Sequence, residues 1–159
     1  MTETAPHVPE WTIALRRYLA FSLALHLVWE VAQLPLYTIW SEPVARQALA
    51  VLHCTAGDLM IAAISLLAAL AFTAQPAWPK SGSRAVWLLL LILGIGYTVY
   101  SEWLNVNVRG NWSYSQVMPT LPFIGTGLSP LLQWLAVPTL ALRMAIGRWP
   151  WRQMEDLQD

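Results

Sequence analysis

The chain has 159 residues, 57% of them hydrophobic and 11% charged, with ten tryptophans and a formal net charge of zero. Soluble domains carry about a quarter charged residues, so this composition excludes an ordinary water-exposed domain and points to a membrane protein. A zero net charge gives no reason to expect a nucleic-acid partner. Cys54 is the only cysteine, which rules out an intrachain disulfide.

Four segments approach the roughly 20 apolar residues that cross a bilayer as a helix. In chain order they are 18–37, 53–74, 85–104 and 124–145. The first follows Arg16-Arg17, but it contains His26 and Glu30 and no small-residue cleavage site follows it. It is therefore expected to be a helix and not a removed signal peptide. The second can begin earlier, because Pro43 suits a helix N-terminus and "VARQALAVL" can lie along an interface. Between the spans lie "TIWSEPVARQ", "AQPAWPKSGSR" and "NVRGNWSYSQVMPTLP", rich in the residues that end helices. Lipid leaves no backbone group unsatisfied, so the spans must be helices. The sequence predicts an all-α polytopic membrane protein: one domain, 1–159, folded as a four-helix transmembrane bundle.

Basic residues set the expected orientation. Arg16, Arg17, Lys80, Arg84, Arg143, Arg148 and Arg152 flank the N-terminus, the middle connection and the C-terminus. Only Arg46 and Arg109 fall in the other two connections. Seven against two places both termini in the cytoplasm and residues 38–52 and 105–120 outside. For a bacterial source the membrane would be the inner one. Trp11, Trp40, Trp78, Trp87, Trp103, Trp112, Trp149 and Trp151 fall near span ends, as amphipathic rings do. Trp29 and Trp134 are expected inside.

Each ionisable group within a span costs at least about 2.5 kcal/mol on insertion scales, so such groups face protein or water. The first span carries His26, Glu30, Gln33 and Tyr37 on one face; the third carries Thr98, Glu102, Asn105 and Arg109 at the same intervals. The second has Cys54, Asp58 and Ser65, with His53 beside them, and the fourth has Thr126, Ser129 and Gln133. With about 1.5 Å of rise per residue from the cytoplasmic boundary, His26 lies roughly 14 Å up, Gln133 about 18 Å and Glu30 about 20 Å. Gln33, Asp58, Ser129 and Glu102 follow at roughly 24–26 Å, and His53 at about 31 Å. Three carboxylates and their amide partners thus share one layer of the outer half.

This layer predicts a polar pocket opening outward. Glu30, Glu102, His26 and Asp58 are its candidate catalytic residues. Gln33, Asn105, Gln133 and Arg109 are candidate substrate contacts, with Trp29 and Trp134 as apolar walls. The competing structural readings are a self-satisfied His26–Glu30 pair, amides acting as interhelical glue, and Arg109 as a plain loop charge. Carboxylates buried together share protons or hold a cation. The first state supplies a general acid and base. The second would use Glu30, His53, Asp58 and Glu102 around a divalent metal. Bis-histidine haem on His26 and His53 is disfavoured by their depth offset of about 17 Å. The expected ligand is a lipid or isoprenoid drawn from the bilayer. Proton- or cation-coupled transport, or a non-catalytic subunit locked to a membrane partner or to a second copy, are the alternatives.

The stretches HLVWEVAQLPLY, HCTAGD and YSEWLNV resemble small uncharacterised bacterial integral membrane proteins over most of the chain. That resemblance implies four membrane helices and no particular activity. His26, Glu30 and Glu102 also resemble the emopamil-binding, sterol-isomerase type, whose four to five helices carry a His-x-x-x-Glu face and another intramembrane Glu. This likeness implies proton transfer on a lipophilic substrate. In that family the motif sits on a later helix, and its remaining signature residues have no counterpart here.

Overall fold

Pro9, at the N-cap, opens the first helix, α1, which covers Glu10–Gln33. Its carbonyl takes the Thr12 and Ile13 amides, and Glu10 in the first turn complements the helix dipole. Pro35 has no N–H to continue the ladder, and the chain tightens into 3₁₀ turns at Leu34–Leu36 and Thr38–Ser41. Pro43 then starts α2, Val44–Thr73, which ends at a left-handed Ala74. Gly82, at φ +71°, precedes α3, Ser83–Glu102. That helix widens without a break into a π-helical stretch, Trp103–Arg109, closed by a left-handed Gly110. After an irregular segment, α4 runs Leu128–Ile146 and stops at Gly147, whose N–H returns to the Arg143 carbonyl. The computed structural model describes residues 9–151; Arg152, counted among the cytoplasmic charges, lies outside them.

The all-helical expectation holds among the described residues, which include four α-helices and no strand. The helix starts differ from the sequence reading. α1 begins eight residues before the predicted 18, which places Arg16 and Arg17 on an exposed helical face. α2 is continuous from Val44, so the earlier start suggested by Pro43 is the one adopted. Three stretches, Glu10–Leu36, Val44–Thr73 and Ser83–Arg109, are long and apolar enough to cross a membrane. α4 falls short on composition, because Pro130, Gln133, Pro138 and Arg143 dilute its 19 residues.

α1 packs against α2 and α4, and α3 closes the set against the same two helices. The half nearest the termini has an apolar centre: Ala14, Ala62, Leu66, Ala69, Val86, Leu90, Ala141, Leu142 and Ala145, with Trp78 and Trp134. The alanines let the backbones approach closely. Trp78 is thus a core residue and not an interfacial ring. The other half is centred on His26, Glu30, Gln33, Glu102 and Gln133, all buried.

The outward faces are the reverse of a soluble protein's. Val28 is 67% exposed, Ile64 60%, Ile92 66% and Phe72 78%. Apolar side chains outside and ionisable ones inside are consistent with lipid as the surrounding solvent. Lys80 pairs with Glu10 at 2.9 Å, and Arg148 donates to the Pro79 and Lys80 carbonyls, so the basic residues do collect at the end that holds the termini.

Candidate functional site

Every buried residue of α1 lies on one stripe: Ala14, Tyr18, Ser22, His26, Glu30 and Gln33. The four-residue spacing keeps them on the face turned toward α2 and α4. Where that stripe meets α4, Gln133 is the junction. Its Nε2 lies 2.9 Å from His26 Nδ1, 3.0 Å from Glu30 Oε1 and 2.9 Å from Asp58 Oδ2. An amide NH2 has two hydrogens and cannot serve three acceptors at once. His26 Nδ1 and Asp58 Oδ2 are themselves 3.3 Å apart. Glu30 has a second amide donor in Gln33, which leaves the two Gln133 hydrogens for His26 Nδ1 and Asp58 Oδ2.

Gln33 extends the network. Its Nε2 donates to Glu30 Oε1 at 2.7 Å and approaches Gln133 Oε1 at 3.4 Å. Ser129 donates to Gln33 Oε1 at 2.8 Å and accepts the Trp29 indole N–H at 3.2 Å. Trp29 is therefore a hydrogen-bonding member and not only an apolar wall. Trp134 is 2% exposed, its ring centroid 5.3 Å from that of His26. Gly94 makes room for it, since a Cβ there would meet Trp134 Cε3 at 2.2 Å.

Glu102 belongs to a second group. The Tyr114 hydroxyl donates to its carboxylate in a short hydrogen bond, and the Gly127 N–H donates to Tyr114 Oη at 2.9 Å. Burial, reinforced by that donation to Glu102, pushes the Tyr114 phenol above its ordinary value, so it remains a donor at neutral pH. The Trp112 indole N–H neighbours Glu102 without reaching hydrogen-bond geometry. Tyr37 packs on Tyr114 with centroids 5.6 Å apart. Tyr37 and Cys54 lie near both Glu30 and Glu102. The segment after Gly110 is stitched to the end of α1 by Thr38 N–H to Ser113 O and Ser115 N–H to Leu36 O. It covers the polar end of the helices.

Other expected members lie elsewhere. Asn105 donates to the Ser101 carbonyl at 2.8 Å and accepts from Asn111, so it braces the π-helical stretch. Arg109 is exposed at the end of that stretch. His53 is exposed on α2, turned roughly 140° from Asp58 at about 100° per residue. Among the described residues no three His, Cys, Asp or Glu side chains converge as a metal site requires, so the set Glu30, His53, Asp58 and Glu102 is not brought together. The early start of α1 shrinks the depth offset between His26 and His53. Direction, not depth, is what separates the pair.

Sequence reading missed Tyr114, Tyr18 and Ser22. Tyr114 lies in irregular chain, where helical periodicity carries no signal. Tyr18 and Ser22 were legible, because they continue the spacing of His26 and Glu30 backward by four and eight residues. Comparison with protein families, curated proteins and solved structures gives no match for the chain.

Proposed function

We propose that the chain is a multi-pass integral membrane protein, a four-helix transmembrane bundle with both termini cytoplasmic. In this reading it carries out acid–base chemistry on a lipophilic molecule, an isoprenoid or lipid from the outer leaflet. The observation that carries the proposal is the meeting of His26, Glu30 and Asp58 on one amide, Gln133, inside helices whose outer faces are apolar. Two acids and an imidazole within hydrogen-bond reach of one amide can give a proton to a substrate and take one back. Such an exchange is redox-neutral: one C–H bond forms, another breaks, and no co-reactant is consumed. Glu30 exchanges the proton, Asp58 and Gln133 set its charge, and His26 relays. Glu102, with Tyr114 as its donor, is the second acid of this reading. The metal-assisted variant has weaker support, because its ligands are dispersed.

The test is purification from native membranes, with bound lipids identified by mass spectrometry. A stoichiometric isoprenoid or lipid, lost in Glu30→Gln, is the expected result. A protein that carries only bulk lipid and is unaffected by Glu30→Gln or Glu102→Gln, yet remains tied to a larger complex, would be a subunit and not an enzyme.

A further inference from the structure

Below His26 the α1 stripe continues with Ser22 and Tyr18, both fully buried. Three polar atoms on this stretch are buried without a hydrogen-bond partner in the protein: Tyr18 Oη, Ser22 Oγ and His26 Nε2. The Tyr18 and Ser22 hydroxyls neighbour each other but do not meet hydrogen-bond geometry. Leaving one buried polar group unsatisfied costs about 1–3 kcal/mol. Three in succession on one face is an arrangement that internal water relieves, each water needing two to four polar partners. The spacing suits this. Four residues rise about 6 Å, close to the length of two hydrogen bonds through one water.

Each end of this stretch leads somewhere. Above, His26 is two-sided: Nδ1 meets Gln133 and Asp58, while Nε2 has no protein partner. Below, the next residue of the stripe is Ala14. It lines a hollow of about 200 Å³ with Glu10, Ile13, Arg17, Pro79 and Ile146, at the end that holds the termini. Hydroxyls both donate and accept, and an imidazole takes a proton at one nitrogen while releasing one from the other.

We propose that the α1 face from Tyr18 to His26 holds a chain of internal waters that carries protons between the hollow at Ala14 and the His26–Asp58–Glu30 group. A proton taken up at Nε2 is matched by one passed from Nδ1 to Asp58, and the reverse step restores the ring, so charge and atoms balance. This rests on the acid–base reading of that group and gives it a route to the aqueous side for the protons it exchanges.

The experiment uses full-length protein, labelled with 15N-histidine, in lipid vesicles. Solid-state NMR measures the exchange of the His26 ring N–H with water, the signal being assigned by its loss in His26→Gln. Fast exchange is expected in the wild type and in Ser22→Thr. Ser22→Val and Tyr18→Phe should each slow it about tenfold, the factor for losing a link worth roughly one hydrogen bond. Exchange in both variants at the wild-type rate, with the remaining histidine signals unmoved, would overturn the proposal. The signal requires neither substrate nor turnover, so the path can fail while the lipid-binding test above succeeds, and the reverse. Should Ser22→Val not fold, Tyr18→Phe alone decides, since it removes only the hydroxyl.

Discussion

Replacing Gln133 by leucine keeps the side chain's bulk and removes the amide that His26, Glu30 and Asp58 share. His26 Nδ1 and Asp58 Oδ2 lose this donor while Glu30 keeps the Gln33 amide; each unsatisfied group costs roughly 1–3 kcal/mol, and water replaces part of the loss. We expect Gln133→Leu to lower stability by about 3 kcal/mol in denaturant unfolding in bicelles. A loss under about 0.5 kcal/mol would mean that the three groups do not depend on this amide. Tyr114→Phe is a smaller cut. It takes the donor from Glu102 and the acceptor from the Gly127 N–H, and should cost about 1–3 kcal/mol in the same assay. Because burial holds the Tyr114 phenol protonated, the wild-type advantage should hold through neutral pH and be lost on the alkaline side only in strong alkali. Sequence alone exposed His26, Glu30, Gln33 and Asp58, since ionisable residues in an apolar run stand out. It hid Tyr114, whose place depends on a loop folding back. It also placed Asn105 with the acids, because Asn105 shares the Glu102 stripe, whereas the π-helical widening after Glu102 turns that stripe away.

At the level of elements, the two glycines of α3 make a matched pair. A Cβ at Gly94 would overlap Trp134, whose ring also packs near His26; a Cβ at Gly96 meets nothing within 4 Å. Gly94→Ala should therefore destabilise by about 1–3 kcal/mol through overpacking. Gly96→Ala should be neutral or stabilise by up to about 1 kcal/mol, as alanine favours the helix. Equal effects of the two on unfolding midpoints would sink the assignment of Gly94 as the seat of Trp134. Helix starts were the least legible part of the fold. Arg16-Arg17 looks like a membrane flank, yet Pro9 and Glu10 hold a better start signal, and α1 extends two further turns. That extension adds roughly 12 Å below His26, which accounts for His26 and Asp58 meeting although their depths read from sequence differ by about 10 Å.

For the whole molecule, the composition and its arrangement give the same reading: apolar residues cover the outer faces of the helices and His26, Glu30 and Glu102 are buried within, while Arg16, Arg17, Arg46 and Arg109 are exposed toward the helix ends. What composition could not supply was the pairing of helices, which follows from packing between residues about a hundred positions apart, such as Gln33 and Gln133. Orientation in the membrane is the remaining large-scale expectation, and it rests on where the cations sit. Lys80, paired with Glu10, and Arg148, on the carbonyls of Pro79 and Lys80, tie the middle connection to the end that holds the termini. Arg46, in the first turn of α2, and Arg109, at the end of the π-helical stretch, lie at the opposite end and are both exposed. By the positive-inside rule the termini are expected in the cytoplasm. Ser81 and Ser113 are exposed in the connections at the two ends, so cysteines there, in a Cys54→Ala background, report the two sides of the membrane. Ser83 would serve poorly, being buried against the Pro79 carbonyl. An impermeant thiol reagent added to intact cells should label position 113, and should label position 81 only after permeabilisation. Labelling of 81 but not 113 in intact cells would invert the topology and place the Tyr18–Ser22 end on the outer side.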